Sequence, residues 1–345
     1  MRKESEEKKL PDANTRLTRK LARIRSGDYR PTDFIIADAK DGDMGGGAGA
    51  PGPELDEAGR PTDRMKPVAA YRAAMKEMIA SDLVDIMLTS LSSAEALVAE
   101  NAYHGHDVTP AVRLNDTTDI WGFRGASYRK HPARPFRTAR LDRARALCDL
   151  GLYAVTFYND VDRDVAALNA YAAFREEACD VGMRHFLEVF NPAFDIDTGG
   201  GDLGTYVNDA IARCLAGVAS ADRPLFLKMQ YNGARAMEEL AAFDPANLIV
   251  GVLGGSAGTT RDTFELVAQA ERHGGRVALF GRKIYFAEDS VEIVRSMRRV
   301  VEGKLSPAEA VKAYHEHLRK SGHKPARPLN DDIEVTDHVL KPEAA

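Results

Sequence analysis

The chain is poor in the features that would commit it to disulfides, to the membrane or to nucleic acid. Among 345 residues there are only three cysteines. Cys148, Cys179 and Cys214 each fall inside a predicted amphipathic helix and show no CxxC or CxxH spacing, which suits buried thiols in a reducing compartment better than a disulfide framework or zinc. No apolar run approaches the roughly 18 residues of a membrane-spanning helix. The opening MRKESEEKKLPDANTR is charged and has no apolar core, so no secretory signal is expected and a cytoplasmic location is. An excess of one charge is missing too. Lys and Arg total 47 against 52 Asp and Glu, which gives no global field favouring nucleic acid or an anionic membrane, so any anion binding must be local. The glycine fingerprint of a dinucleotide site, with an acid about twenty residues on, does not follow the first apolar run. His104-Gly105-His106 imitates a metal-binding HxH pair but lies in a loop entering a strand, without further ligands at later strand ends. Neither a metal nor another cofactor is expected.

What the chain does have is a repeated alternation. Residues 15–26 (TRLTRKLARIRS) read as a basic helix with Leu17, Leu21 and Ile24 on one side, a pattern that is usually a solvated face. Eight apolar runs then follow: 33–41, 84–90, 109–119, 151–160, 183–192, 223–232, 247–258 and 276–284. Amphipathic helices separate them over 66–81, a serine-capped 92–101, 138–150, 162–182, 203–220, 232–243 and 259–274. Each run is nearly continuous in hydrophobicity, as strands buried on both faces are. Eight βα units close naturally into a (β/α)8 TIM barrel; the N-terminal helix and extra helices at 289–302 and 306–321 flank it, giving 1–32, 33–302 and 303–345 as the three parts. The stretch 42–62, rich in Gly and Pro, is expected to lack regular structure and to serve as a functional loop. The tail from 322 on is expected to wrap the barrel or to stay without fixed structure.

In such a barrel the chemistry sits at the C-terminal ends of the strands, and ionisable residues gather there. Asp38, Lys40 and Asp41 end the first strand, Arg113, Asn115 and Asp116 the third, Tyr158 and Asn159 the fourth, Glu188 and Asn191 the fifth, and Lys228, Gln230 and Tyr231 the sixth. An ammonium inside an apolar strand is costly unless it is used or paired. Two readings of Lys228 stand side by side: a snorkelling lysine paired with Glu188, or an amine that forms a Schiff base with a carbonyl substrate. After the seventh strand, Gly254, Gly255, Ser256 and Gly258 form a turn that opens a helix at Thr259, and Gly281 with Arg282 follows the eighth. Backbone N–H groups, a helix N-terminus and a guanidinium are the parts of a phosphate cradle.

The order of these motifs resembles the class I, Schiff-base sugar-phosphate aldolases: deoxyribose-phosphate aldolase, archaeal-type fructose-bisphosphate aldolase and, closest in pattern, tagatose-bisphosphate aldolase. IIADAKD is similar to the first-strand Asp motif of that last family, FLEVFNP to its fifth-strand carboxylate motif, LFLKMQY to its sixth-strand lysine motif, and LGGSAG with FGRK to its phosphate loops. The resemblance implies a carbon–carbon lyase. Lys228 would form the imine, Glu188 and Asp38 would move protons, with Tyr158 assisting as acid, while Arg113, Asn115, Asp116 and Gln230 contact the substrate. The implied partner is a small phosphosugar, held by a homo-oligomer that touches neither nucleic acid nor membrane. One position departs from the pattern: where tagatose-bisphosphate aldolase has a second lysine on its fourth strand, this chain has Thr156. A related Schiff-base transferase or dehydratase, or a phosphosugar-binding protein without chemistry, is the alternative.

Overall fold

A computed structural model describes residues 15–57, 60–255 and 258–341. Eight parallel strands form a closed barrel: β1 (Ile35–Lys40), β2 (Ile86–Thr89), β3 (Thr109–Arg113), β4 (Leu150–Thr156), β5 (Arg184–Phe190), β6 (Leu227–Met229), β7 (Gly251–Leu253) and β8 (Val277–Phe280). Each pairs with its sequence neighbours, and β1 pairs with both β2 and β8, so no edge is left open. Around it run α1 (Arg16–Arg25), α2 (Val68–Ser81), α3 (Leu91–Ala99), α4 (Leu141–Arg145), α5 (Val161–Val181), α6 (Leu203–Ala216), α7 (Ala234–Phe243), α8 (Thr260–Arg272), α9 (Ser290–Val301) and α10 (Pro307–Lys320). The architecture is the (β/α)8 barrel read from the sequence, and no helix of the described residues is long and apolar enough to cross a membrane.

Strand parity divides the apolar residues into two cores. Ile35, Ala37, Leu88, Leu152, Phe186, Phe226 and Leu279 point inward and fill the barrel, whereas Ile36, Met87, Val112, Tyr153, Leu187 and Phe280 point outward against the helices. Phe186 and Phe226 stack with ring centroids 4.7 Å apart inside the barrel. They lie one inward step below Glu188 and Lys228, whose Cα atoms are partners across β5 and β6. A packed aromatic floor therefore fixes the height and direction of both functional side chains.

The N-terminal helix is more than a solvated face. Leu17, Leu21 and Ile24 join the inner core and close the barrel at the N-terminal ends of its strands. Its basic residues are used there as well: Arg16 Nε lies 2.8 Å and Lys20 Nζ 2.9 Å from Asp85, which also receives Arg298 at 2.6 Å.

Several local expectations are corrected. The stretch 42–62 does contain regular structure: a helical turn over Gly42–Gly46, and Pro53–Leu55 paired antiparallel with Pro61–Met65. The helix expected over 138–150 shrinks to Leu141–Arg145, and the sixth and seventh runs contribute only three strand residues each. Ser90 stands at the start of α3, but its hydroxyl donates to Asp43 at 2.6 Å instead of capping the helix. Cys148 and Cys214 are buried, whereas Cys179 is exposed. The C-terminal segment wraps the barrel and bonds α8.

Candidate active site

Lys228 and Glu188 face the barrel interior on adjacent strands, and Nζ lies 2.6 Å from Oε1. Both are buried. The other carboxylate oxygen, Oε2, accepts from Arg113 Nη2 at 2.7 Å, and Arg113 Nε donates to Asp41 at 2.6 Å. Arg113 thus ties β1, β3 and β5 together beneath the mouth. Burial pulls the Asp41 carboxyl up, but Arg113 and then Lys228 outweigh it and hold Asp41 below its ordinary range. The same pairing raises the Arg113 guanidinium further, against its own burial.

Asp116 is the odd member. Burial, reinforced by Asp41 and Glu188, pushes its carboxyl up to about 7 despite the attraction of Arg113. Its Oδ1 has no hydrogen-bond partner among the described residues, and neither has Nη1 of Arg113, 3.9 Å away. Thus two buried polar atoms of opposite character face each other unfilled. Native structures rarely leave such atoms without a partner from protein, ordered water or a ligand.

Asp38 is elsewhere. Its neighbours Ala37 and Ala39 belong to the inner core, so Asp38 points out of the barrel, where it pairs with the fully buried Lys40. The Lys40 ammonium lies 5.5 Å from the ring centre of Tyr285. Of the acids at the end of β1, the structure brings Asp41 to the lysine, and not Asp38.

Asn115 is also structural: its side-chain amide donates to the carbonyl of Ala154 at 2.8 Å and accepts from the same residue's N–H at 2.6 Å, extending the ladder of β4. Gln230 stands two residues past Lys228 on the same face and is exposed at the mouth. Tyr158 donates to Asp119 at 2.9 Å, and Thr156 to the same oxygen at 2.8 Å. Thr117 bonds the other oxygen. Burial and then Asp119 raise the Tyr158 hydroxyl, so it keeps its proton. Asp119, a carboxylate served by three hydroxyls at the position of the departing Thr156, was not singled out by sequence reasoning; its offset from the end of β3 gives no signal.

The anion loops divide. Gly258 has φ +60°, and a Cβ there would lie 2.6 Å from Asp262 Oδ2. The N-terminus of α8 is already occupied: Thr259 N–H donates to Asp262 at 3.0 Å and Thr260 N–H to Asp332 of the C-terminal segment at 2.8 Å. Those two N–H groups of the helix end are therefore already engaged. Gly281 lets β8 approach β1, since a Cβ would meet the Ala39 carbonyl at 2.5 Å, and Gly254 packs on the Phe280 ring. Ser256 lies outside the described residues. What still faces the mouth is Arg282, exposed, with Nη2 donating to the Gly255 carbonyl at 2.9 Å. No cluster of His, Cys, Asp and Glu suited to a metal occurs among the described residues, and the histidines at 104 and 106 gather no ligands.

Two loops roof the chamber. Gly122 N–H donates to the Gly45 carbonyl at 2.9 Å, joining the β3–β4 loop to the glycine-rich segment, and Tyr285 OH donates to the Pro51 carbonyl at 2.9 Å on the far side. Trp121 anchors the first of these loops against Tyr128 and Phe136, with centroids 4.9 and 4.7 Å away.

No family model and no curated protein matches this chain. Solved structures do. An archaeal fructose 1,6-bisphosphate aldolase is similar with a TM-score of 0.58 at 14% identity, over 83% of this chain and 99% of that one. The fructose-bisphosphate aldolase of Slackia heliotrinireducens gives 0.61 at 12% identity, over 90% and 95%. Cgl0159 from Corynebacterium glutamicum gives 0.54 at 19%, over 84% and 98%. The shared property is the fold. Nearly the whole length of each of these proteins is spanned by the same barrel, and function must be argued from the site.

Proposed function

We propose that this chain is a class I aldolase in which Lys228 forms a Schiff base with a phosphorylated sugar or related carbonyl compound. The observation that carries this reading is the buried contact of 2.6 Å between Lys228 Nζ and Glu188 Oε1. Glu188 takes a proton from the ammonium, and the neutral amine attacks the carbonyl carbon. Loss of water gives the iminium, which accepts the electron pair released when the carbon–carbon bond breaks. Arg113 holds Glu188 in place, and Asp41 takes the proton-handling role that the sequence assigns to Asp38. Tyr158, whose hydroxyl proton goes to Asp119, accepts from a substrate hydroxyl through its phenol oxygen. Arg282 and the Gly255 backbone hold the phosphate at the β7–β8 edge. The structures named above as aldolases share the barrel, which supports the reading without deciding the substrate.

Borohydride added in the presence of sugar phosphates tests it. An adduct located on Lys228 by peptide mass spectrometry is expected, with the mass of the reduced carbonyl compound. If an adduct forms equally on the Lys228→Met variant, the assignment of the nucleophile fails; binding without any adduct would favour a phosphosugar-binding protein.

A further inference from the structure

The chamber around Lys228 has an electrostatic polarity that selects among sugar phosphates. On the β1–β3 side stand Asp41 and Asp116, with Glu188 next to them on β5, and Arg113 and Lys228 are the cations that contact these three. Both cations are committed to carboxylates at 2.6 to 2.7 Å. A dianion brought here would find both cations already taken and would meet the buried Asp116, where like charges repel strongly. The atoms left open on this side ask for another group. Arg113 and Asp116 are 4% and 3% exposed, and their partnerless Nη1 and Oδ1 atoms are 3.9 Å apart. An N–H donor opposite a carboxyl oxygen complements a group that both accepts and donates, which is an alcohol hydroxyl. Asp43 Oδ1 is a third buried atom without a partner.

The β7–β8 side is the opposite. Arg282 reaches across to the Gly255 carbonyl, and Arg129 of the roofing loop lies over Gly122, where a Cβ would come within 3.1 Å of its Nη2. Neither guanidinium has a carboxylate partner among the described residues. Burial and then the nearby charge of Arg129 pull the Arg282 guanidinium down, as two cations brought together without a counter-ion require.

We infer that the substrate is a monophosphate: its one anionic group sits at Arg282 on the β7–β8 side, and its other end is an uncharged, hydroxylated carbon chain held by Asp116 and Arg113. This rests on the Schiff-base reading for the position of the carbonyl, but binding tests it independently. Calorimetric titrations of fructose 1-phosphate, fructose 6-phosphate and fructose 1,6-bisphosphate would be run on the wild-type chain and on Asp116→Asn, Arg282→Gln and Lys228→Met. At least one monophosphate is expected to bind roughly tenfold or more tightly than the bisphosphate. Arg282→Gln should weaken that monophosphate about tenfold, and Asp116→Asn should narrow the gap to the bisphosphate while the fold, followed by circular dichroism, is unchanged. Equal or tighter binding of the bisphosphate overturns the inference, as does an Asp116→Asn variant that leaves the ratio alone or a chain that binds none of the three. Monophosphate preference retained in Lys228→Met, with no borohydride adduct in the wild type, would sink the Schiff-base reading and leave this one standing. A trapped adduct that favours the bisphosphate would do the reverse.

Discussion

The barrel holds one buried charge network at each end, and the two are built differently. At the N-terminal end Asp85 accepts from Arg16, Lys20, Arg298 and the Ile36 N–H at 2.8 Å, and none of these side chains leaves a buried polar atom without a partner. The three cations outweigh burial and bring the Asp85 carboxyl down to about 2. At the C-terminal end Arg113, Asp116, Asp43 and, behind β1, Asp38 all keep unsatisfied atoms. Burial alone does not separate a structural ion cluster from a functional one. For these two clusters completeness does: the Asp85 network closes on itself, whereas Arg113 and Asp116 beside Lys228 leave valences open.

The largest expected effect that sharpens this contrast is at Lys228. Lys228→Met should lower the rate of adduct formation by about a thousandfold or more, with little change in melting temperature, as measured by single-turnover trapping and thermal denaturation. The bottom network should behave in the opposite way. Asp85→Asn leaves the buried Lys20 and the part-buried Arg298 without their counter-ion and should cost about 3–5 kcal/mol in urea unfolding, while any folded fraction keeps its trapping rate. A tight, stable Asp85→Asn variant would erase the distinction between the two ends.

The pair Asp41 and Asp38 tests which face of β1 carries chemistry. Asp41→Asn is expected to slow trapping about a hundredfold, and Asp38→Asn, which only unpairs Lys40, should act on stability instead. The reverse pattern would return the role to Asp38.

The two ends should also respond oppositely to pH. The Asp85 carboxyl is lowered in the folded state from an ordinary 3.8 to about 2, so its contribution is complete above about pH 4 and is lost as pH falls towards 2. Asp116 is raised from 3.8 to about 7, so the folded chain binds the extra proton between those values and stability declines as pH rises through them. Melting temperature against pH should lose its acid limb in Asp85→Asn and its neutral decline in Asp116→Asn. The smallest expected signal is optical. Trp121 is the one tryptophan, so its fluorescence should shift in a saturable way when a phosphosugar settles beneath the roofing loop. A spectrum indifferent to a ligand that calorimetry shows bound would mean that the loop is only a wall.

Much of the architecture was readable in advance, because eight continuous apolar runs alternating with helices leave few ways to bury every strand on both faces. The juxtaposition of Lys228 and Glu188 was readable for the same reason, since consecutive βα units make adjacent parallel strands. That Asp41 and not Asp38 lies near Lys228 was not legible, for a physical reason. A strand buried on both faces shows no polar alternation, so nothing in IIADAK says which parity looks inward, and Asp38 and Asp41 differ by an odd step. At the helix start after β7, Thr259 and Thr260 are bonded by residues some seventy positions later, which no local pattern announces.

The sequence by itself determined the barrel, the order of its strands and the presence of a lysine and a glutamate on neighbouring strands, since these depend on local periodicity and connection length. Only the tertiary structure decided which carboxylates reach Lys228, that the basic first helix closes the floor, and that Arg113 and Asp116 keep open valences. Those outcomes depend on strand parity, barrel closure and contacts across long stretches of chain, and no local pattern encodes them.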